Sequence, residues 1–204
     1  FNSYLWNDAG ASTGNSISVT SEGEYTVTVT GSNGCTDTKK FIVKASGRAT
    51  ITAIEINDFA GGENSVLVVY SGLGDYQFSL DGINYQDSAL FINVPSGAYT
   101  IYVKDINGCG ITLKEIFVLD YPKFFTPNGD GYNDIWGIDY LKREHPNAKI
   151  GIFDRYGKLL YTFSGEGDGW DGNLNSKPLP ASDYWFVITL KDGRTIKGHF
   201  SLKR

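Results

Sequence analysis

Four side-chain oxygen donors crowd into one short stretch, FFTPNGDGYNDIW at residues 124–136: Asn128, Asp130, Asn133 and Asp134. Three chemistries use such a set. Asn128, Asp130 and Asp134 would offer oxygens to a structural calcium ion, although a loop of EF type also needs a distal Glu that this stretch lacks. Asp130 and Asp134 would form a carboxylate pair, but acid–base work by two carboxylates requires environments that separate their pKa values, and nothing nearby suggests a cleft. The same residues make a self-capped turn: Pro127 sets φ, Gly129 and Gly131 admit positive φ, and Asx side chains accept hydrogen bonds from neighbouring backbone. On the sequence alone, calcium and a rigid turn both stay open.

Other candidates for chemistry are sparse. His145 lies in Glu144-His145-Pro146 and His199 in Gly198-His199-Phe200, and neither adjoins a nucleophile motif such as G-x-S-x-G or a local Cys–His pairing. Cys35 and Cys109 each follow an Asn-Gly dipeptide. With only two histidines spread along the chain they do not supply zinc-ligand spacing. They are expected to be buried thiols, or in the case of Cys35 to pair upstream of Phe1, rather than to join each other. Gly169-Trp170-Asp171-Gly172 reads as a tight turn with Trp170 as a buried anchor and Asp171 as its cap. No enzyme is expected, and no cofactor beyond the candidate calcium.

The elements that hold these residues follow from composition and pattern. The chain has 204 residues, 41% of them hydrophobic, with Gly 25, Tyr 13 and Phe 12, which suits packed β domains rather than disorder. Methionine is absent, so an internal or C-terminal piece of a longer precursor is expected. No signal peptide stands at Phe1, and no apolar run approaches the roughly 20 residues of a membrane helix. Net charge is −5, which argues against nucleic acid as a partner. Residues 1–120 hold 6 Lys/Arg against 13 Asp/Glu, giving −7, whereas residues 121–204 hold 12 against 10, giving +2. Lys191, Arg194, Lys197, Lys203 and Arg204 concentrate the positive charge in the last hairpin, a bias that suits an acidic partner.

An internal repeat sets the organisation. SEGEYTVTVTGSNGC at 21–35 and PSGAYTIYVKDINGC at 95–109 align at an offset of 74, matching Gly23/Gly97, Tyr25/Tyr99, Asn33/Asn107 and the two cysteines. Tyr25-Val27-Val29 and Tyr99-Ile101-Val103 alternate with the strand period of two, and Asn-Gly supplies the positive φ of a tight turn. A third echo, Tyr184 to Ile188 followed by Lys191-Asp192-Gly193, is apolar on both faces: a central strand, or one with a face offered to a partner. Asp139–Glu144 is the sole helix candidate, stopped by Pro146. The predicted architecture is all-β, with tandem immunoglobulin-like β-sandwich domains ending in a small β-sandwich domain. Residues 1–45 are expected to be the second half of a repeat, 48–120 a complete repeat, and 121–204 a separate terminal domain.

Four motifs occur in order within residues 121–204: Phe125-Thr126-Pro127-Asn128-Gly129-Asp130-Gly131-Tyr132-Asn133-Asp134, then Ile152-Phe153-Asp154-Arg155-Tyr156-Gly157, then Gly169-Trp170-Asp171-Gly172, then Tyr184-Trp185 with a basic end. In this order they resemble the type B C-terminal sorting domain of the type 9 secretion system, also called the gliding-motility-associated C-terminal domain, of Bacteroidota. The upstream repeats resemble those of SprB-type surface adhesins. The resemblance implies export through the periplasm and the outer-membrane translocon to the cell surface. It also implies retention by an outer-membrane β-barrel of the PorP/SprF family, in an adhesin linked to gliding motility. Partner contacts would then fall on Phe125, Pro127, Asn128, Gly129, Asp130, Gly131, Asn133 and Asp134, on Arg155, Tyr156 and Gly157, on Trp170, Asp171 and Gly172, and on Lys197, Lys203 and Arg204. A rival from a different class is a calcium-dependent carbohydrate-binding module; a polysaccharide-degrading enzyme would need its catalytic domain upstream of Phe1.

Overall fold

A computed structural model describes residues 2–204, and nearly every ordered element in it is a strand. β1 (Ser3–Trp6), β2 (Gly23–Thr30) and β3 (Thr36–Val43) form an antiparallel sheet in that order. Val27 is its single buried hydrophobic residue, while Leu5, Phe41 and Ile42 are exposed. Among the described residues no second sheet covers it.

The next unit carries the same three-stranded motif with a covering sheet. β4 (Thr50–Asn57), β5 (Ser65–Ser71) and β7 (Leu90–Phe91) form one sheet; β6 (Tyr76–Ser79), β8 (Gly97–Asp105) and β9 (Gly110–Val118) form the other. Alternate residues of both sheets meet in one core, with Val66 and Val68 from the first facing Phe78, Ile101, Val103 and Val118 from the second. The repeat survives as geometry. Tyr25 and Tyr99 open equivalent strands, and each hydroxyl donates to the carbonyl four residues back, Ser21 and Pro95, at 3.0 Å. Gly34 and Gly108 both adopt positive φ at the turn that follows. The cysteines just beyond are exposed free thiols, not buried ones, since each lies at a turn on the surface.

In the last part of the chain, β10 (Phe124–Phe125), β11 (Lys149–Phe153), β12 (Leu159–Ser164), β15 (Ser182–Thr189) and β16 (Thr195–Leu202) form a five-stranded sheet ordered β10-β16-β15-β11-β12. β13 (Asn173–Leu174) pairs with β14 (Lys177–Pro178) in a short ribbon. One turn of helix, α1 (Leu141–Glu144), stands where Asp139–Glu144 is predicted, and it ends before Pro146 as the missing N–H requires. The inner sheet face, including Ile150, Ile152, Phe186, Ile188 and Phe200, packs under Trp136, Trp170 and Leu141, which the connections deliver. Tyr184 repeats the tyrosine bond, donating to Pro180 O at 2.8 Å, so the third echo is structural as well.

This core also takes in Phe117 and Leu119, with Phe59 packed against it, all from before residue 121. Arg143 stands over the Phe117 ring at 4.4 Å and pairs with Glu115, while Arg194 reaches Asp58 at 2.7 Å. The last sheet therefore shares side chains with the sandwich before it.

Candidate functional site

The opening loop is a turn wound around one carboxylate. Asp134 Oδ1 accepts the backbone N–H groups of Asn128 at 2.9 Å and Gly129 at 2.7 Å, and Oδ2 accepts that of Gly131 at 2.8 Å. Those donors, Gly129 first, hold the Asp134 carboxyl below the usual carboxylate range. Asp130 accepts from Tyr132 N at 2.8 Å and from Asn128 Nδ2 at 2.8 Å, and Asn128 Oδ1 accepts from Asp130 N. Gly129 and Gly131 take φ of 78° and 89°, which lets consecutive N–H groups converge on Asp134.

The oxygens that calcium would need at Asn128, Asp130 and Asp134 thus all face N–H donors. These bonds make the stretch a self-capped turn. Among the described residues no group of three or more His, Cys, Asp or Glu gathers anywhere. His145 and His199 lie in different surface hollows, one beside Lys191 and Asp192, the other beside Trp185 and Lys197.

The turn is tied to the Gly169–Gly172 motif. Trp136, at its end, and Trp170 pair as an isolated antiparallel bridge, and both are fully buried. The Trp136 indole donates to Pro122 O and that of Trp170 to Asn173 O, each at 2.9 Å. Asp171 caps the motif, accepting from Asn173 N and Asn173 Nδ2. Phe125 is buried against Trp170, and a Cβ at Gly172 would lie 2.8 Å from Leu202 and 3.2 Å from Phe125. Partner contact predicted at Phe125, Trp170 and Gly172 is therefore blocked by burial. Their type is dictated by packing, a role the motifs' order along the chain does not distinguish from recognition.

Exposed candidates sort into separate places. Asn128, Gly129, Asp130, Gly131 and Asn133 are exposed on the opening turn, with Pro127 half-buried at its base. Arg155, Tyr156 and Gly157 form the β11–β12 turn, where Asp154 Oδ1 accepts from Tyr156 N and Lys158 N at 2.9 Å and Tyr156 is 87% exposed. Lys203 lies over the Phe124 ring at 4.3 Å, and Arg204 donates to Leu179 O at 3.1 Å.

Only Arg155, Gly157 and Lys197 share a surface feature, a trough of about 600 Å³ on the outer face of β11, β15 and β16. Phe153, Asp154, Trp185, Val187 and His199, none of them a predicted partner contact, also line it. Trp185 and Val187 carry a signal in the two-faced apolar pattern of their strand. Phe153 and His199 give none, because their shared face depends on the pairing of three strands.

Residues 119–202 match the family model described as the CHU_C type IX secretion signal domain. No curated protein sequence matches the chain. Solved structures similar to it include the BSP domain of a biofilm-associated protein, at 13% identity over 89% of this chain and 42% of that one, with a TM-score of 0.27. Dimeric latent PorU from Porphyromonas gingivalis is 14% identical over 93% of this chain and 25% of that one, with a TM-score of 0.26. Immunoglobulin domains 1–4 of Sidekick-1 are 10% identical over 98% and 66%, with a TM-score of 0.30. The chain thus spans less than half the length of the first two. The five-stranded sheet and its tryptophan-bridged turn lie within residues 119–202, the part of the chain that matches the CHU_C type IX secretion signal domain.

Proposed function

We propose that the chain is the non-enzymatic secretion and anchoring end of a cell-surface adhesin linked to gliding motility, held at the outer membrane by a β-barrel of the PorP/SprF family. The type IX secretion signal spanning residues 119–202 carries this reading, since such a signal implies export and engagement with the type IX machinery. The β units before it act as a spacer, with the β1–β3 sheet as half of a repeat and residues 48–120 as a whole one. No helix among the described residues is long and apolar enough to cross a membrane.

Fusion to a periplasmic reporter tests the reading. Residues 48–204 are the appropriate fragment, because Phe59, Phe117 and Leu119 belong to the last core. In a type IX-competent host the reporter is expected at the cell surface, and retained there only when the cognate barrel is co-expressed. A reporter that stays in the periplasm defeats the export reading; one displayed equally without the barrel defeats the anchoring part.

A further inference from the structure

In the five-stranded sheet, the period of two sends Ile150, Ile152, Phe186, Ile188 and Phe200 into the core. The opposite set should then be polar, yet Phe153, Trp185 and Val187 stand together there, brought side by side by the Phe153↔Trp185 and Gly151↔Val187 pairings. Trp185 is 41% exposed and nothing among the described residues covers it. Gly151 lines the adjoining hollow, where a Cβ would press on Phe153 at 3.1 Å and Leu159 at 3.3 Å. The result is concave, a shape that receives a polypeptide side chain rather than a planar bilayer.

Arg155 and Lys197 line the trough, and Asp154 is its one acid. Lys197 pairs with Val187 across the strands and has no ion-pair partner among the described residues. Arg155 donates only to the Ser182 hydroxyl, at 2.7 Å. The nearby acids are engaged locally: Asp154 caps its own turn, and Asp183 accepts the Ser201 hydroxyl. Among the described residues no acid forms an ion pair with Arg155 or Lys197, so both cations are left to meet charge from outside. An aromatic floor with an arginine at its rim is also the composition that concentrates binding energy in protein interfaces.

We propose that this trough docks an acidic polypeptide segment of the export machinery, which seats an apolar side chain against Trp185, Phe153 and Val187 while its carboxylates meet Arg155 and Lys197. The proposal rests on the export reading of residues 119–202 and names the surface and the partner chemistry.

The test expresses the full chain in a type IX-competent host and measures surface display by protease accessibility of intact cells. Wild type is displayed; if it is not, the export reading itself falls. Val187→Asp and the pair Arg155→Glu/Lys197→Glu each reduce display about tenfold, the scale of losing a central interface contact. The pair Arg155→Ala/Lys197→Ala falls in between, and Lys142→Glu/Lys177→Glu, which matches the charge change elsewhere, leaves display unchanged. The charge pair alters only exposed side chains, so purified protein keeps its melting temperature, and this pair decides the matter should Val187→Asp fail to fold. Normal display of the reversed pair beside a displayed wild type overturns the docking site, and so does an equal loss in the control pair. Equal effects of the Ala and Glu pairs overturn the acidic partner. Sedimentation of wild type with phosphatidylglycerol vesicles, lost in the reversed pair, overturns the polypeptide in favour of lipid.

Discussion

The backbones of Trp136 and Trp170 exchange both of their hydrogen bonds, N–H to carbonyl, at 2.8 and 2.9 Å. This bridge joins the opening turn to the Gly169–Gly172 motif directly over the sheet, where the Trp136 indole stacks on Phe200 at 4.1 Å. Gly169 is required for it: its φ is 112°, and a Cβ there would collide with the Trp136 carbonyl oxygen. Trp170→Ala is expected to lower stability by about 3–5 kcal/mol, the range for removing a buried aromatic. Gly169→Ala is expected to destabilise as well, by parting the two backbones. Urea unfolding followed by tryptophan fluorescence measures both, and a Gly169→Ala protein as stable as wild type would remove the bridge from the account.

The opening turn should respond to acid. Asp134 has its folded pKa depressed by the Gly129 and Gly131 amides, so its contribution is complete above the unfolded value and is lost as pH falls through the folded one. Asp134→Asn removes the charge that those amides stabilise. The melting temperature of the variant is therefore expected below that of wild type at pH 6, with the gap closing as pH drops below about 4, the ordinary Asp range. A gap that persists at pH 2 would show that shape rather than charge holds the turn.

Three tyrosines at the starts of equivalent strands make the same bond four residues back: Tyr25 to Ser21 O, Tyr99 to Pro95 O and Tyr184 to Pro180 O. Tyr184→Phe and Tyr99→Phe should each cost about 1 kcal/mol, the usual net value of one such hydrogen bond. Tyr184 is the more buried of the two, so its variant should show the larger loss in a chemical melt.

Arg194 and Asp58 bind the last hairpin to the preceding sandwich, with the Asp58 carboxylate nearly buried and the guanidinium about half-exposed. A double-mutant cycle with Asp58→Asn and Arg194→Gln is expected to give a coupling of about 1 kcal/mol or less, because one partner stays solvated. Burial matters more at this junction. A fragment of residues 121–204 lacks Phe59, Phe117 and Leu119, and should be less stable than residues 48–204 in its terminal sheet by at least about 3 kcal/mol, the range for one large core residue. Hydrogen exchange in β15 and β16 reads that difference.

Much of the fold is legible along the chain because its signals are local. Tyr25-Val27-Val29 and Tyr99-Ile101-Val103 announce strands through their alternation, and Asn-Gly announces the turns at Gly34 and Gly108. The self-capping of Asn128–Asp134 also shows in residue types, since Asx side chains reach only a few residues away. The cysteines were harder: a small apolar side chain after a turn gives no sign of whether another element will bury it, and here both stay exposed. Nor does a motif declare its role. Phe125, Trp170 and Gly172 stand beside exposed residues in the sequence and pack inside in the structure.

By itself the sequence determined the β class, the repeat with its offset of 74, the tyrosine-led strands and the resemblance carried by four ordered motifs. The strands depend on spacings within a single strand or turn, and the repeat and the motif order on comparison along the chain. Tertiary structure alone decided that Phe153, Trp185, Val187, Lys197 and His199 share one trough, and that Phe59, Phe117 and Leu119 complete a core more than they complete their own sandwich. The physical reason is register. Which face a residue occupies follows from its parity along a strand, but which residues become its neighbours follows from how separate strands pair, and that is set by the whole core.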